Sequence, residues 1–275
     1  MKSLRAPAII AILIVIGMYG FISCTKKKDE VKPDETTQAN EVIQDDQIAQ
    51  NESDEMDNIS EDLFEENGIN QRINADACVT ITKDGNKITF DFGTVGCKTK
   101  GRTRTGKIIV TYTGKYRNNG SIFTYTFDGY AVDGRKIEGQ RTVTNKGNNT
   151  YEIQAVGMKI TFPDGSSSTW SSTRTRTWDS KGTPLNLADD ELKIYGTASG
   201  VNRNTVAYTA TVNQNTPLTI KVSCAATDRI FYPVSGKMIV SINGKNRTID
   251  YGTGTCDKKV TVTLAGGTSV DLDLQ

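Results

Sequence analysis

Two groups of residues have the types and spacing needed for chemistry. The first is STWSSTRTRTW at 168–178. Read as a strand, it sets Trp170, Ser172, Arg174, Arg176 and Trp178 on one face and Thr169, Ser171, Thr173, Thr175 and Thr177 on the other. The Arg-Thr-Arg-Thr tetrad recurs at 102–105, adding Arg102 and Arg104 beside Lys98, Lys100 and Lys107. Guanidinium forks grip carboxylate or phosphate, and indole faces stack on the apolar side of sugar rings. Trp170, Arg174, Arg176, Trp178, Arg102 and Arg104 are therefore candidate ligand-binding residues for a glycan or an anionic polymer. The plainer reading is a solvated sheet face. There, arginines pair across strands with residues such as Asp128 or Glu138, and tryptophans stack on arginine stems.

The second group is a repeat. DGNKITFDFGTVGC (84–97) and NGKNRTIDYGTGTC (243–256) share Gly, Thr, Asp, Gly, Thr and Cys at matched positions. Asp91 and Asp250 thus recur, and paired acids can hydrolyse glycosides without histidine. The structural alternative is that each carboxylate accepts backbone N–H bonds and fixes a loop; repetition within one fold favours that role. Asp189-Asp190-Glu191 lacks the alternating ligands and glycine of a calcium loop and reads as a charged turn. The chain has no histidine. That removes Ser-His-Asp and Cys-His machinery, imidazole acid/base chemistry and histidine-held zinc. No glycine-rich phosphate loop opens a helix, which disfavours nucleotide binding. We expect no catalytic residue, metal or cofactor, and the dispersed basic charge gives no support for nucleic-acid binding.

The cysteines point to an exported protein. Lys2 and Arg5 precede an apolar run from Ala8 to Phe21, too short for a comfortable membrane span. Phe21-Ile22-Ser23-Cys24 resembles a bacterial lipobox, which implies cleavage after residue 23, acylation of Cys24 and attachment to a membrane; the alternative is an uncleaved signal anchor. Thr25 in place of Asp favours the outer membrane. Cys78, Cys97, Cys224 and Cys256 remain, an even number consistent with disulfides. The pairs Cys78–Cys97 and Cys224–Cys256 are favoured, because each brackets one copy of the repeat. A simple hairpin would set Cys78 opposite Asp91, so the 93–97 loop must fold back.

These residues must be positioned by strands. Residues 24–74 read as an acidic tether, with 15 acidic and 5 basic residues between Thr25 and Asn74 against 17 and 26 from Ala75 onward. Within it, Val42, Ala49, Met56 and Leu63 fall seven apart on one helical face, a thin stripe that suits a nascent helix in a disordered stalk or, as the alternative, a short acidic helix that docks or self-associates; the opposite charges likewise suit an arm that lies on the domain or one that keeps its distance from an anionic membrane. Residues 75–275 alternate apolar and polar positions in about a dozen runs. Ile108, Val110 and Tyr112 share one face, as do Phe123, Tyr125 and Phe127. Turns are expected at Asp84-Gly85, Asn118-Asn119-Gly120, Asp133-Gly134, Gly147-Asn148-Asn149, Asp164-Gly165, Asn243-Gly244 and Gly266-Gly267. The expected fold is all-β, an antiparallel meander closed as a sandwich or barrel-like sheet, with no helix beyond a turn near 185–191. A transmembrane barrel is disfavoured, since many runs carry Thr, Lys and Gly on both faces.

DFGTVGC with GRTRTGKIIVTYTGKY, DGRKIEGQRTVTN and IDYGTGTCD resemble, in texture and order, a family of exported lipoproteins from Bacteroidota, flavobacteria especially. The resemblance spans about 85–257. It implies an outer-membrane lipoprotein with an all-β body and supplies no activity, cofactor or site residue. The leading expectation is a non-catalytic envelope module that binds a glycan, a polyanion or an envelope partner. The alternatives are a carboxylate-dependent glycan hydrolase or lyase, marked by two acids in a cleft, and a carrier, marked by an apolar interior pocket.

Overall fold

The computed structural model describes residues 35–64, 78–99, 101–183, 186–227 and 232–274. The expected signal peptide and Cys24 lie outside the described residues. Among the described residues, fifteen strands form one antiparallel sheet. They are β1 (Thr80–Asp84), β2 (Lys87–Asp91), β3 (Cys97–Thr99), β4 (Arg102–Tyr112), β5 (Ile122–Val132), β6 (Arg135–Gly147), β7 (Thr150–Thr161) and β8 (Ser167–Asp179) in the first half. The second half holds β9 (Glu191–Val201), β10 (Ala207–Val212), β11 (Leu218–Lys221), β12 (Ser235–Ile242), β13 (Lys245–Thr253), β14 (Lys259–Thr263) and β15 (Ser269–Asp273). Each strand lies beside its sequence neighbour except that β3 branches from β4 and β11 bridges β9 and β12. The all-β meander expected from alternation is thus the fold.

The turn chemistry explains most registers. Asp133-Gly134 and Asn243-Gly244 close two-residue hairpins with positive φ at both positions (48° and 77°; 53° and 74°), as the tight hairpin turn requires. The first repeat differs. Asp84 pairs with Lys87, so its turn is Gly85-Asn86, one residue later than expected, and Thr80 rather than Cys78 faces Asp91.

Two helices depart from the sequence expectation. The short α2 (Val222–Thr227) is six residues long and carries Cys224. The larger, α1 (Glu35–Phe64), departs from the nascent-helix reading alone: thirty residues of the acidic span form the docked helix given as its alternative. It belongs to the same compact unit as the sheet, Pro33–Gln275. Ala49 and Met56 join the apolar cluster of the first eight strands, with Phe90, Ile108, Tyr125 and Met158. Ala39, Val42 and Ile43 join the cluster of the later strands, with Val240, Ile242 and Ile249. Asp45, Asp46 and Gln47 are 3%, 5% and 7% exposed. Three consecutive residues sweep about 200° of a helix, so far more than one stripe of α1 is covered. A nascent helix fails in water for lack of contacts; this one obtains them from both halves of the sheet.

Candidate functional site

The predicted arginine-tryptophan strip lies on β8 with the expected division of faces. Thr169, Ser171 and Thr173 point to solvent, whereas Trp170 and Arg174 are buried. What covers them is α1. Asp46 Oδ1 accepts from Arg174 Nη2 at 2.7 Å. Asp45 accepts from Arg203 Nε at 2.7 Å and from its backbone N–H at 2.8 Å. Glu52 accepts from Arg102 through both oxygens, at 2.8 and 3.1 Å, and pairs with Arg135 at 3.1 Å. Ser53 Oγ accepts from Arg141 Nε at 2.8 Å, and Lys245 pairs with Glu35 near the start of the helix. The expected cross-strand partners Asp128 and Glu138 are not those of Arg174 or Arg102. The negative charge facing Arg174 comes instead from the acidic segment, and that facing Arg102 from the same segment and from Asp133, at 2.8 Å.

The remaining candidates are also engaged. Arg104 is closed to water and donates from Nη1 to the Thr99 carbonyl at 2.6 Å. Arg176 donates to Tyr116 Oη at 3.4 Å and stands 5.9 Å from the Tyr151 ring. Trp178 Nε1 donates to Asp190 Oδ2 at 2.6 Å. Trp170, Arg141 and Arg174 line a cavity of about 20 Å³ under α1, room for about one water. Trp170, Arg174 and Arg104 thus lie in the interior, while Arg176, Trp178 and Arg102 are half-buried.

The repeated aspartates are turn-fixing groups. Asp91 Oδ1 accepts from the Gly93 N–H at 2.9 Å, and Asp250 Oδ1 from the Gly252 N–H at 3.0 Å. Each faces a lysine on the neighbouring strand, Lys107 at 3.3 Å and Lys237 at 2.9 Å. The Gly93 N–H, then Lys107, hold the Asp91 carboxyl below its ordinary value. Burial pushes Asp250 up, but Lys237 and the Gly252 N–H outweigh it and leave it lowered. Those lysines belong to a second repeat, Gly-Lys-Ile-Ile-Val (106–110) and Gly-Lys-Met-Ile-Val (236–240). In each, the glycine bulges out of register just before the lysine. A Cβ on Gly106 would stand 2.2 Å from the Gly129 carbonyl oxygen, and one on Gly236 2.1 Å from that of Pro217. The twin motifs are therefore paired strand corners.

Both favoured disulfides are present, Cys78–Cys97 and Cys224–Cys256. Asp189 accepts from Thr183 Oγ1 at 2.8 Å and Glu191 pairs with Lys181 at 2.5 Å. With Asp190 held to Trp178, these three acids go to three separate partners.

An open cleft was not foreseen. Glu41, Gln44 and Asp45 of α1, Asp164 and Ser166 of the β7–β8 turn, and Asn202, Arg203 and Asn204 of the β9–β10 turn line about 290 Å³. Asn202 Oδ1 holds its turn by accepting from the N–H groups of Asn204 (3.0 Å) and Val206 (2.8 Å). Asp164 Oδ1 likewise accepts from Ser166 Oγ (2.6 Å) and N–H (2.9 Å), which lowers its carboxyl. Burial raises that of Asp45 despite Arg203. The Arg203 guanidinium lies 4.4 Å over the Phe162 ring. A signal for the α1 residues was present: Asp45 and Asp46 follow Val42, and Glu52 and Ser53 follow Ala49, by three and four positions. They share the face of the apolar stripe.

Compared with known proteins, the chain matches no family model, no curated protein and no solved structure.

Proposed function

We propose that the protein is a non-catalytic module of the bacterial cell envelope, anchored through an acylated Cys24 in the outer membrane, that binds a glycan or another polar envelope component. The observation that carries this reading is how the acidic residues are used. The carboxylates best placed for hydrolysis are all committed to turns or ion pairs. Asp91 and Asp250 hold corners, and both oxygens of Asp45 are taken by Arg203. In the cleft, Asp45 is raised and Asp164 lowered, the separation expected of an acid and a base. That favours the hydrolase as second reading. It ranks behind, because Asp164 Oδ1 is held by Ser166 and Asp45 has no free oxygen to offer a leaving group. A carrier needs an apolar cavity of several hundred Å³, whereas the space beneath α1 is about 20 Å³. A polyanion would have to compete with Asp46 and Glu52 for Arg174 and Arg102. The two disulfides accord with an oxidising compartment.

The test is a glycan-array screen of the full chain in detergent, repeated in high salt, with reducing-sugar release assayed on every bound glycan. The expected result is salt-insensitive binding without release. Turnover abolished by Asp164→Asn would establish the hydrolase in its place. Binding lost in salt would point to a polyanion.

A further inference from the structure

We propose that the cleft between α1 and the β7–β8 and β9–β10 turns binds a neutral polyhydroxylated ligand, one sugar residue of a glycan, through a hydroxyl that bridges Glu41 and Asn202. The proposal rests on the glycan-binding reading above and names its site and the charge of its ligand. Asn202 is 1% exposed, and its Nδ2 is buried without a hydrogen-bond partner. Glu41 Oε2, in the same cleft, is also buried without one. Native proteins leave few such atoms, and each asks for a reason. Here one is a donor and the other an acceptor. A hydroxyl satisfies both at once, donating its O–H to the Glu41 carboxylate while its oxygen accepts from the Asn202 amide.

Charge selects among hydroxyl-bearing ligands. Arg203 is spent on Asp45, so Glu41 and Asp164 leave the cleft negative. Phosphorylated sugars and uronates are therefore repelled, and neutral sugars are not. Gln44 and Ser166 add further polar groups around the opening. The volume of about 290 Å³ lies at the small end of ligand sites, which suits one ring. The Phe162 face is covered by Arg203, so the sugar gains no stacking from it. Binding of one unit is then weak, and useful retention comes from repeated units presented together on a polymer.

Amide shifts in the 15N-labelled full chain, in detergent micelles, test this with N-acetylglucosamine and methyl glucoside as neutral probes and glucuronate as the anionic one. The neutral probes should shift the amides of Gln44, Ser166 and Asn204 with millimolar saturation, and glucuronate should bind at least tenfold more weakly. Asn202→Asp keeps the oxygen that holds the turn but replaces the donor; Glu41→Gln replaces the acceptor. Each should weaken the neutral probes about tenfold, the loss of one good hydrogen bond; Glu41→Gln should leave the thermal midpoint unchanged, whereas Asn202→Asp buries a further carboxylate in the cleft and should lower it. Shifts absent from these three amides, glucuronate binding as tightly as the neutral probes, or variants binding like the parent would overturn the site. A protein that binds on the array while these amides stay still loses the site and keeps the glycan reading. A blank array removes the reading itself, and the proposal with it.

Discussion

Asp46→Ala removes the carboxylate that faces Arg174 across the seam between α1 and β8. The two groups are 2.7 Å apart, with side chains 8% and 5% exposed. Taking one partner from a buried pair typically costs about 3–5 kcal/mol, because the other charge stays behind without compensation. One feature moderates the loss: with the Gln50 amide turned so that its oxygen faces the arginine, that oxygen accepts from Arg174 Nε at 2.9 Å. The expected cost is therefore near the lower end, about 3 kcal/mol. For a chain of this size that is a midpoint drop of roughly 6–12 °C. Replacing both partners by apolar residues, Asp46→Leu with Arg174→Met, should return stability to within about 1 kcal/mol of the parent, since the pair itself contributes little net once its desolvation is counted. Urea unfolding followed by far-UV circular dichroism reads both. A loss below about 1 kcal/mol for Asp46→Ala, the range of exposed surface pairs, would refute the seam as an enclosed contact.

Four further outcomes follow from the same structure. Burial raises the Asp45 carboxyl above the ordinary aspartate value of 3.8. Its contribution to stability is then fully present below that value and lost as pH rises through the higher folded one. Asp45→Asn should gain on the parent as pH rises above 3.8. Asp133 runs the other way. Burial pushes it up, but the bonds from Arg102 and Thr103 leave it lowered, so Asp133→Asn should cost stability at neutral pH and converge with the parent in acid; urea midpoints across pH check both. The disulfides close spans of 19 and 32 residues, so Cys-to-Ser pairs should cost about 3 and about 3.7 kcal/mol in the chain-entropy account, read as calorimetric midpoint shifts. Gly106→Ala and Gly236→Ala should each lower the yield of folded protein sharply, given approaches of 2.2 and 2.1 Å, while Gly266→Ala, with nothing within 4 Å, should be silent.

Alternation made the sheet legible, because a strand with one wet face writes its fold into every second residue. Phe123, Tyr125 and Phe127 fell on the inner side and Thr126 and Asp128 outside, as the pattern required. The repeat gave the disulfide pairs and the structural role of Asp91 and Asp250, since a carboxylate two residues before a glycine acts locally. The strip on β8 was read correctly as to side but not as to surroundings. Trp170 and Arg174 look like a ligand face until an acidic partner is brought in from more than a hundred residues away, and no local pattern carries that distance. The stripe of α1 was visible in Val42, Ala49 and Met56, and the opposite charges of arm and domain allowed it to dock. What stayed out of reach was which acids it buries, because burial of Asp45, Asp46 and Glu52 depends on arginines elsewhere in the chain. The cleft joins α1 to two turns distant in sequence, so Glu41 and Asn202 had no common signal to find.

Hydrogen exchange on the full chain tests the central claim, that the sheet folds around its own acidic helix. The account predicts that the amides of residues 42–53 exchange only through global unfolding, as slowly as those of β5 and β6. An isolated helix with so few apolar residues is marginal in water. Exchange of those amides within seconds, while the strands stay protected, would contradict the account.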